Sequence, residues 1–389
     1  MTAAIVLGDL HLRSDGDPAP RRALTELLAR EPDAPLVLAG DTLDLAAERS
    51  QTPAEATRAV LASAPELCRL LAERASRGVT TTFLAGNHDA AIGSAAVVAA
   101  LHDHLGLDAR DRAHVRAEPW FVHLAAGAVH VEHGHVFDPD SAPTHPLSTE
   151  QRDDVGIRVL RKFIVPIGAH DLVHANAEVP LALLLRVIRK YGPHAPSVVA
   201  RYVSAAVSIV RESGARFPMR EDRDEGARRL AEFAFERALD GEALALVLQA
   251  HATPTMAHAT STFLRLYLDR VFATAALVTG VGVATTFALT ASAPIAIAGV
   301  SLATLGALSL TASLIAGANR YHGRAQRALA DGAERVAAIT SASTVILGHV
   351  HADVSGPHYR NTASFAFATP GARPYLRVED DGAVRRAFA

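Results

Sequence analysis

The chain has 389 residues, with 38 Lys+Arg against 41 Asp+Glu for a formal net charge of −3, 5% aromatic residues and a single cysteine, Cys68. This balance gives no basic surface or set of stacking platforms for nucleic acid, so no nucleic-acid partner is expected. One cysteine excludes an internal disulfide and fits a reducing compartment, and the length suits one catalytic domain with a large insertion.

The opening MTAAIVLGDLHL enters a short apolar run at once, without a basic n-region or cleavage site, and is expected to belong to the fold. AAIVLGD, PLVLAGD and VTTTFLAGNHD read as buried strands, each ending in Gly and a polar residue. Helical patterns separate them at about 20–30 and 54–77, with Gly78 as a C-cap. VHVEHGH and, much later, STVILGHVH repeat the same strand-then-ligand form. FAFATPG, RPYLRVEDDG and AVRRAFA read as a closing set of strands with a turn at Asp381-Gly382.

Between about 148 and 345 strand signals vanish, and helical patterns run between Pro166, Pro180, Pro193, Pro196 and Pro218. Residues 151–220 hold 11 Lys+Arg and 5 Asp+Glu, so the rest of the chain is acidic. Arg158, Arg161 and Lys162, then Arg186, Arg189 and Lys190, are spaced to share one helix face each, either solvated or turned to a membrane surface or phosphate.

From Val271 to Asn319 there are 49 residues without a charge. One helix of that length would extend about 74 Å, whereas a bilayer core needs about 30 Å. TASAP near the midpoint supplies a turn, which predicts a transmembrane helical hairpin over about 271–319 packed through Gly280, Gly282, Gly299, Ser301, Gly306 and Ala307. Arg265, Arg270, Arg320, Arg324 and Arg327 flank it while the turn carries no charge, which puts both ends, and the catalytic domain, on the cytoplasmic side of the cytoplasmic membrane.

The chemistry-bearing residues follow the strand-like runs: Asp9 and His11 in GDLHL, Asp41 in GDTLD, Asn87 and His88 in GNHD, His133 in EHGH, and His349 and His351 in GHVH. Carboxylates, imidazoles and one amide oxygen form a mixed N/O set suited to Mn, Fe or Zn, and seven such groups can hold two ions with one carboxylate shared. The remaining histidines, including His102, His104, His123, His130 and His258, have no partner at ligand spacing.

This ordered set resembles the calcineurin-like metallophosphoesterase superfamily over roughly residues 1–140 and 343–389. The resemblance implies a layered β-sandwich of the α/β class flanked by helices, with parts at 1–145 and 343–389 and an all-α insertion at 146–342. It also implies two divalent metal ions, Mn expected and Fe or Zn able to serve. One would lie on Asp9, His11, Asp41 and His351, the other on Asp41, Asn87, His133 and His349, with His88 assisting the leaving group. Asp89 is expected to orient an imidazole and Asp44 to play a similar part, while Arg13 and His135 could line a phosphate pocket or simply cap loops. DLHL and a helical insertion before GHVH are similar to the UDP-2,3-diacylglucosamine hydrolases, although these usually read GNRD and HGD where this chain has GNHD and HGH. The expected reaction is hydrolysis of a phosphate ester or pyrophosphate of a membrane lipid or lipid precursor. A soluble nucleotide, phosphoprotein or phosphodiester as substrate, or a non-catalytic membrane interaction protein, are the alternatives.

Overall fold

The computed structural model describes residues 2–50, 52–148, 154–169, 180–214, 219–237, 239–290, 292–317, 319–368 and 372–389, so Pro218 lies outside the described residues. In chain order come β1 (Thr2–Leu7), α1 (Pro18–Arg30), β2 (Leu36–Leu38), α2 (Pro53–Ala62), α3 (Pro65–Ser76), β3 (Thr81–Leu84), α4 (Ala95–His104), β4 (Val115–Glu118), β5 (Phe121–Leu124) and β6 (Val129–Glu132). The helical middle holds α5 (Val155–Val159), α6 (Val165–Ile167), α7 (Pro180–Tyr191), α8 (Ala195–Glu212), α9 (Met219–Glu236), α10 (Gly241–Gln249), α11 (Ala259–Arg265), α12 (Leu268–Leu289), α13 (Ala293–Ile315) and α14 (Arg324–Thr340). The chain ends with β7 (Thr344–Leu347), β8 (Tyr359–Asn361), β9 (Pro374–Glu379) and β10 (Val384–Phe388).

These elements form two compact units, one of Met1–Arg161, Pro218–Pro254 and Gly323–Ala389, the other of Lys162–Phe217 and Thr255–His322. Residues 146–342, expected as one insertion, are therefore shared between the units: α9, α10 and α14 pack within the first. Their apolar faces explain this, since Phe233, Leu244, Val247, Leu329, Ala333 and Val336 join Phe121, Val345 and Leu347 in one buried cluster.

The first unit is a sandwich of a six-stranded sheet, ordered β10-β9-β1-β2-β3-β4, and a four-stranded sheet, ordered β5-β6-β7-β8. Alternation along β1 sets the layers. Ala4 and Val6 face inward to meet Val129, Val131 and Ile346 of the other sheet. Ile5 and Leu7 face outward to pack with Leu24, Leu27, Val60, Leu71, Val97 and Leu101 of α1 to α4. Both neighbours of β1 obey its pattern: β2 runs parallel to it and β9 antiparallel.

Local chemistry decides the helix ends. Thr52 and Glu55 form a capping box at α2. Pro65, which has no N–H to donate, begins α3 and divides the helix expected over 54–77. Gly78 follows α3 with φ +80°, the left-handed conformation expected of a helix-ending glycine. FAFATPG is not a strand over its described residues: Phe365 and Ala366 donate their N–H groups to Gly8 and Asp9 oxygens, so this apolar run braces a loop and does not extend a sheet.

In the second unit α12 and α13 are antiparallel neighbours joined by a short turn, 22 and 23 residues long, with mean hydropathies of 1.8 and 1.9. Each is about 33–35 Å long at 1.5 Å per residue, enough to cross a bilayer core. Val278, Val281, Ile297, Val300, Leu305 and Leu308 are exposed, so the hairpin buries little of its apolar surface. Its seam is glycine: a Cβ on Gly280 would lie 2.3 Å from Ala303 N, on Gly299 2.5 Å from Ala284 N, and on Gly306 2.5 Å from Leu277 N. Gly282 and Ser301, expected in this seam, face away from it, because their helical phase differs from that of 280, 299 and 306. At the base, Asp269 accepts two bonds from Arg320 at 2.8 and 2.9 Å. Arg270 donates to the Ser313 and Gly317 carbonyls at 3.0 and 2.6 Å, satisfying the C-terminal end of α13.

Candidate metal centre

The loops after β1, β2, β3, β6 and β7 bring the expected ligand residues other than His349 together in the first unit. Each loop must turn sharply, and the backbone shows it: Asp9, His11, Asp41, His349 and His351 all have φ between 45° and 69°. Side chains other than glycine adopt this left-handed region at a cost of about 1–3 kcal/mol each, and it is often found at functional sites. In three of the motifs the glycine makes room for a ligand type from another. A Cβ on Gly86 would sit 2.2 Å from Asp41 Oδ1, on Gly40 2.5 Å from the His133 ring, and on Gly348 2.7 Å from Asp9 Oδ2.

The donor atoms converge. His11 Nε2 and His351 Nε2 are 3.2 Å apart, His351 Nε2 is 3.1 Å from Asp9 Oδ1, and His11 Nε2 is 3.8 Å from Asp41 Oδ2. His133 Nε2 lies 3.3 Å from Asp41 Oδ2 and 3.2 Å from Asn87 Oδ1. Asp41 thus stands between the two groups. Paired imidazole nitrogens aimed at one point, bracketed by carboxylate oxygens, are a donor set that could hold a divalent cation.

Electrostatics favour that reading at Asp9, Asp41 and His11, while at His133 burial is outweighed by the Asp41 carboxylate, which raises the ring to about 9, so that ring is charged until a cation displaces its proton. Burial opposes ionisation of Asp9 and Asp41, yet His351 keeps the first and His133 the second below the usual carboxylate range, so both remain anionic. Burial, reinforced by the charge of His88, lowers His11 to about 3 and leaves it a neutral imidazole with a lone pair to give. His133 donates Nδ1–H to the Ala39 carbonyl at 2.9 Å, which directs Nε2 at Asp41 and Asn87.

His88 behaves differently from the other rings. Its Nδ1 is 2.7 Å from Asp44 Oδ1. Burial disfavours its charge, but the Asp44 and Asp41 carboxylates outweigh burial and raise it to about 10, so the ring is a proton donor at neutral pH. Asp44 therefore orients His88, the kind of part expected of it. Asp89, expected to orient an imidazole, does not: its carboxylate accepts backbone N–H groups from Asp41, Thr42, Leu43 and Gly86 at 2.7–3.1 Å. The turn after His88 folds Asp89 back beneath the β2 loop, where those four donors need an acceptor.

His349 is held apart from the converging donors, with Nε2 3.1 Å from Asp138 Oδ2 and its ring 5.4 Å from that of His133. Asp138 thus holds the ring by Nε2. His135 is buried, its ring 5.4 Å from the His133 ring, and burial with the neighbouring His133 charge holds it neutral. Arg13 bonds Asp15 through Nε at 3.0 Å, which makes it a loop tie. Asp138 and Asp154 were not among the expected site residues. Buried Asp154 accepts Asn87 Nδ2 at 2.9 Å through Oδ2 and the Ile157 N–H at 2.8 Å through Oδ1, so one carboxylate caps α5 and fixes the Asn87 amide. Its N-cap position before an apolar helix was the one local signal available. Elsewhere His102 donates Nε2–H to the Val115 carbonyl, and His123 pairs with His130, away from these donors.

The sequence profile of the calcineurin-like phosphoesterase family matches residues 3–196. That span holds Asp9, His11, Asp41, Asn87, His88 and His133, while His349 and His351 lie beyond it. No curated protein and no solved structure matches the chain. Members of this family typically bind two divalent metal ions, and the donors gathered after β1, β2, β3, β6 and β7 suit such a pair. The chain thus carries a calcineurin-like phosphoesterase domain and is a metal-dependent phosphoester hydrolase.

Proposed function

We propose that this enzyme hydrolyses a phosphate ester or pyrophosphate of a membrane lipid or lipid precursor at the cytoplasmic membrane face. The observation that carries the lipid reading is the α12–α13 hairpin, whose large apolar side chains point outward along both helices. In water such a surface is a liability, and in a bilayer it is the correct solvent. The helical insertion ahead of GHVH, which resembles that of the UDP-2,3-diacylglucosamine hydrolases, supports a substrate with acyl chains.

Asp9, His11, Asp41 and His351 would hold one ion and Asp41, Asn87, His133 and His349 the other, Asp41 being common to both. Mn is the expected metal. Bound there, a pair of divalent ions supplies a nucleophile at neutral pH and neutralises charge on the phosphate oxygens. The chain's own residues do the rest. Asp154 and Asp138 orient Asn87 and His349, Asp44 holds His88 by Nδ1, and His88 presents Nε2–H as the acid that protonates the departing oxygen.

The test is mass spectrometry of a bacterial lipid extract incubated with detergent-purified, Mn²⁺-loaded enzyme beside His88→Ala. A phosphorylated lipid consumed by the wild type alone supports the proposal. An unchanged lipid profile with a soluble phosphoester still hydrolysed reduces the hairpin to an anchor, a reading favoured by the confinement of donors and hairpin to separate units.

A further inference from the structure

The second unit contains a cavity of about 320 Å³ that the hydrolytic chemistry does not use. One wall is the stretch holding Lys162, Pro166 and Ile167, the other the middle of α8 with Arg201, Ser204 and Ser208. On α8 the spacing of three and four residues stacks these polar groups on one face. The opposite wall is shaped by Pro166, which cannot donate to the carbonyl four residues back, and the helix widens into a π-turn over Leu160–Ile164. Such turns are frequent at binding sites because they re-aim side chains. The face expected of Arg158, Arg161 and Lys162 is broken here, and Lys162 Nζ instead reaches α8, donating to Ser208 Oγ at 3.1 Å and Glu212 Oε1 at 2.6 Å.

Glu212 balances Lys162, but the exposed Arg201 forms no hydrogen bond or ion pair among the described residues. Lys162 and the Ser208 hydroxyl are both bonded to Glu212, which leaves the uncompensated Arg201 guanidinium and the Ser204 hydroxyl in a hollow whose remaining wall, Pro166 and Ile167, is apolar. That combination matches a phosphate ester attached to an apolar body. The same helix is tied to the base of the hairpin: Tyr202 donates its hydroxyl to the Leu266 carbonyl at 2.8 Å, two residues before α12 begins. Lipid phosphates lie at this level of a membrane-crossing hairpin.

We propose that this cavity is an accessory site for the phosphate of an anionic phospholipid, which is bound there and not hydrolysed. The proposal rests on the membrane reading above. Its ligand chemistry, a phosphate group, could also come from free phosphate, and the experiment separates the two.

The full chain, purified in detergent, is titrated with phosphatidylglycerol, phosphatidylcholine and inorganic phosphate and followed by native mass spectrometry. The expected result is retention of one phosphatidylglycerol about tenfold more tightly than phosphatidylcholine, a preference lost in Arg201→Gln and kept in Arg223→Gln, an exposed arginine of α9. Equal retention of the two lipids, or unchanged phosphatidylglycerol binding in Arg201→Gln, overturns the site. Inorganic phosphate bound as tightly as phosphatidylglycerol overturns the lipid as its source. Recovery of the wild type in the soluble fraction of cells sinks the membrane reading separately. The cavity is then decided by the inorganic phosphate arm, where binding that Arg201→Gln abolishes upholds a phosphate site and no binding ends it.

Discussion

The sandwich core and the apolar hairpin both depend on glycine, but for opposite ends. Gly40, Gly86 and Gly348 are bare so that a charged or polar side chain can come close: the His133 ring, the Asp41 carboxylate and the Asp9 carboxylate. Gly280, Gly299 and Gly306 are bare so that another backbone can. The first region buries carboxylates and imidazoles and covers its apolar faces, while the second leaves Leu, Ile and Val outside. Each is an inversion of the ordinary globular rule: buried charge calls for a counter-charge, and exposed hydrocarbon suits an apolar surrounding.

If the two regions are as separable as their chemistry suggests, changes in one will spare the other. Asp41→Asn should have the largest effect, lowering kcat/KM about a thousandfold and reducing metal content by elemental analysis, with membrane fractionation unchanged. Retained activity would break the assignment of Asp41 as the shared ligand. His88→Ala should cost about a hundredfold on an alkyl phosphoester and only a few fold on p-nitrophenyl phosphate, whose leaving group needs no proton. Equal losses on both would remove His88 from the role of acid. Asp154→Asn, which leaves every donor in place, should weaken metal binding about tenfold in a chelator competition.

The smallest effect on turnover belongs to the hairpin. Gly299→Leu must push apart α12 and α13 and should destabilise the detergent-solubilised protein by about 1–3 kcal/mol, read as a lower melting temperature, while hydrolysis of a soluble phosphoester stays within about twofold. Gly282→Leu, facing outward, should leave both unchanged. A Gly299→Leu enzyme that loses soluble-substrate activity would show that the two regions are coupled after all.

The strands bearing ligands were legible because each motif is local: an apolar run, a glycine, then one or two ligand types. The hairpin was legible for a similar reason, since length and the absence of charge suffice. β4, β5 and β8 were not, because VRAE, FVHL and YRN are short and carry polar residues that break an apolar run. Asp138 and Asp154 escaped because what they do is done to His349 and Asn87, 211 and 67 residues away in the chain. Asp89 misled for the converse reason. Adjacency to His88 suggested a shared task, yet a sharp turn separates neighbours more surely than distance along the chain does.

The left-handed conformations of Asp9, His11, Asp41, His349 and His351 set the centre against the thermal resilience of the scaffold that holds it. Asp9 and Asp41 also accept the His349 and His88 N–H groups, but the loops at His11, His349 and His351 would relax on exchange for glycine, so these replacements, expected to extinguish hydrolysis, should make the metal-free protein harder to melt. A screen for heat resistance alone would therefore lose these histidines first, and turnover with them.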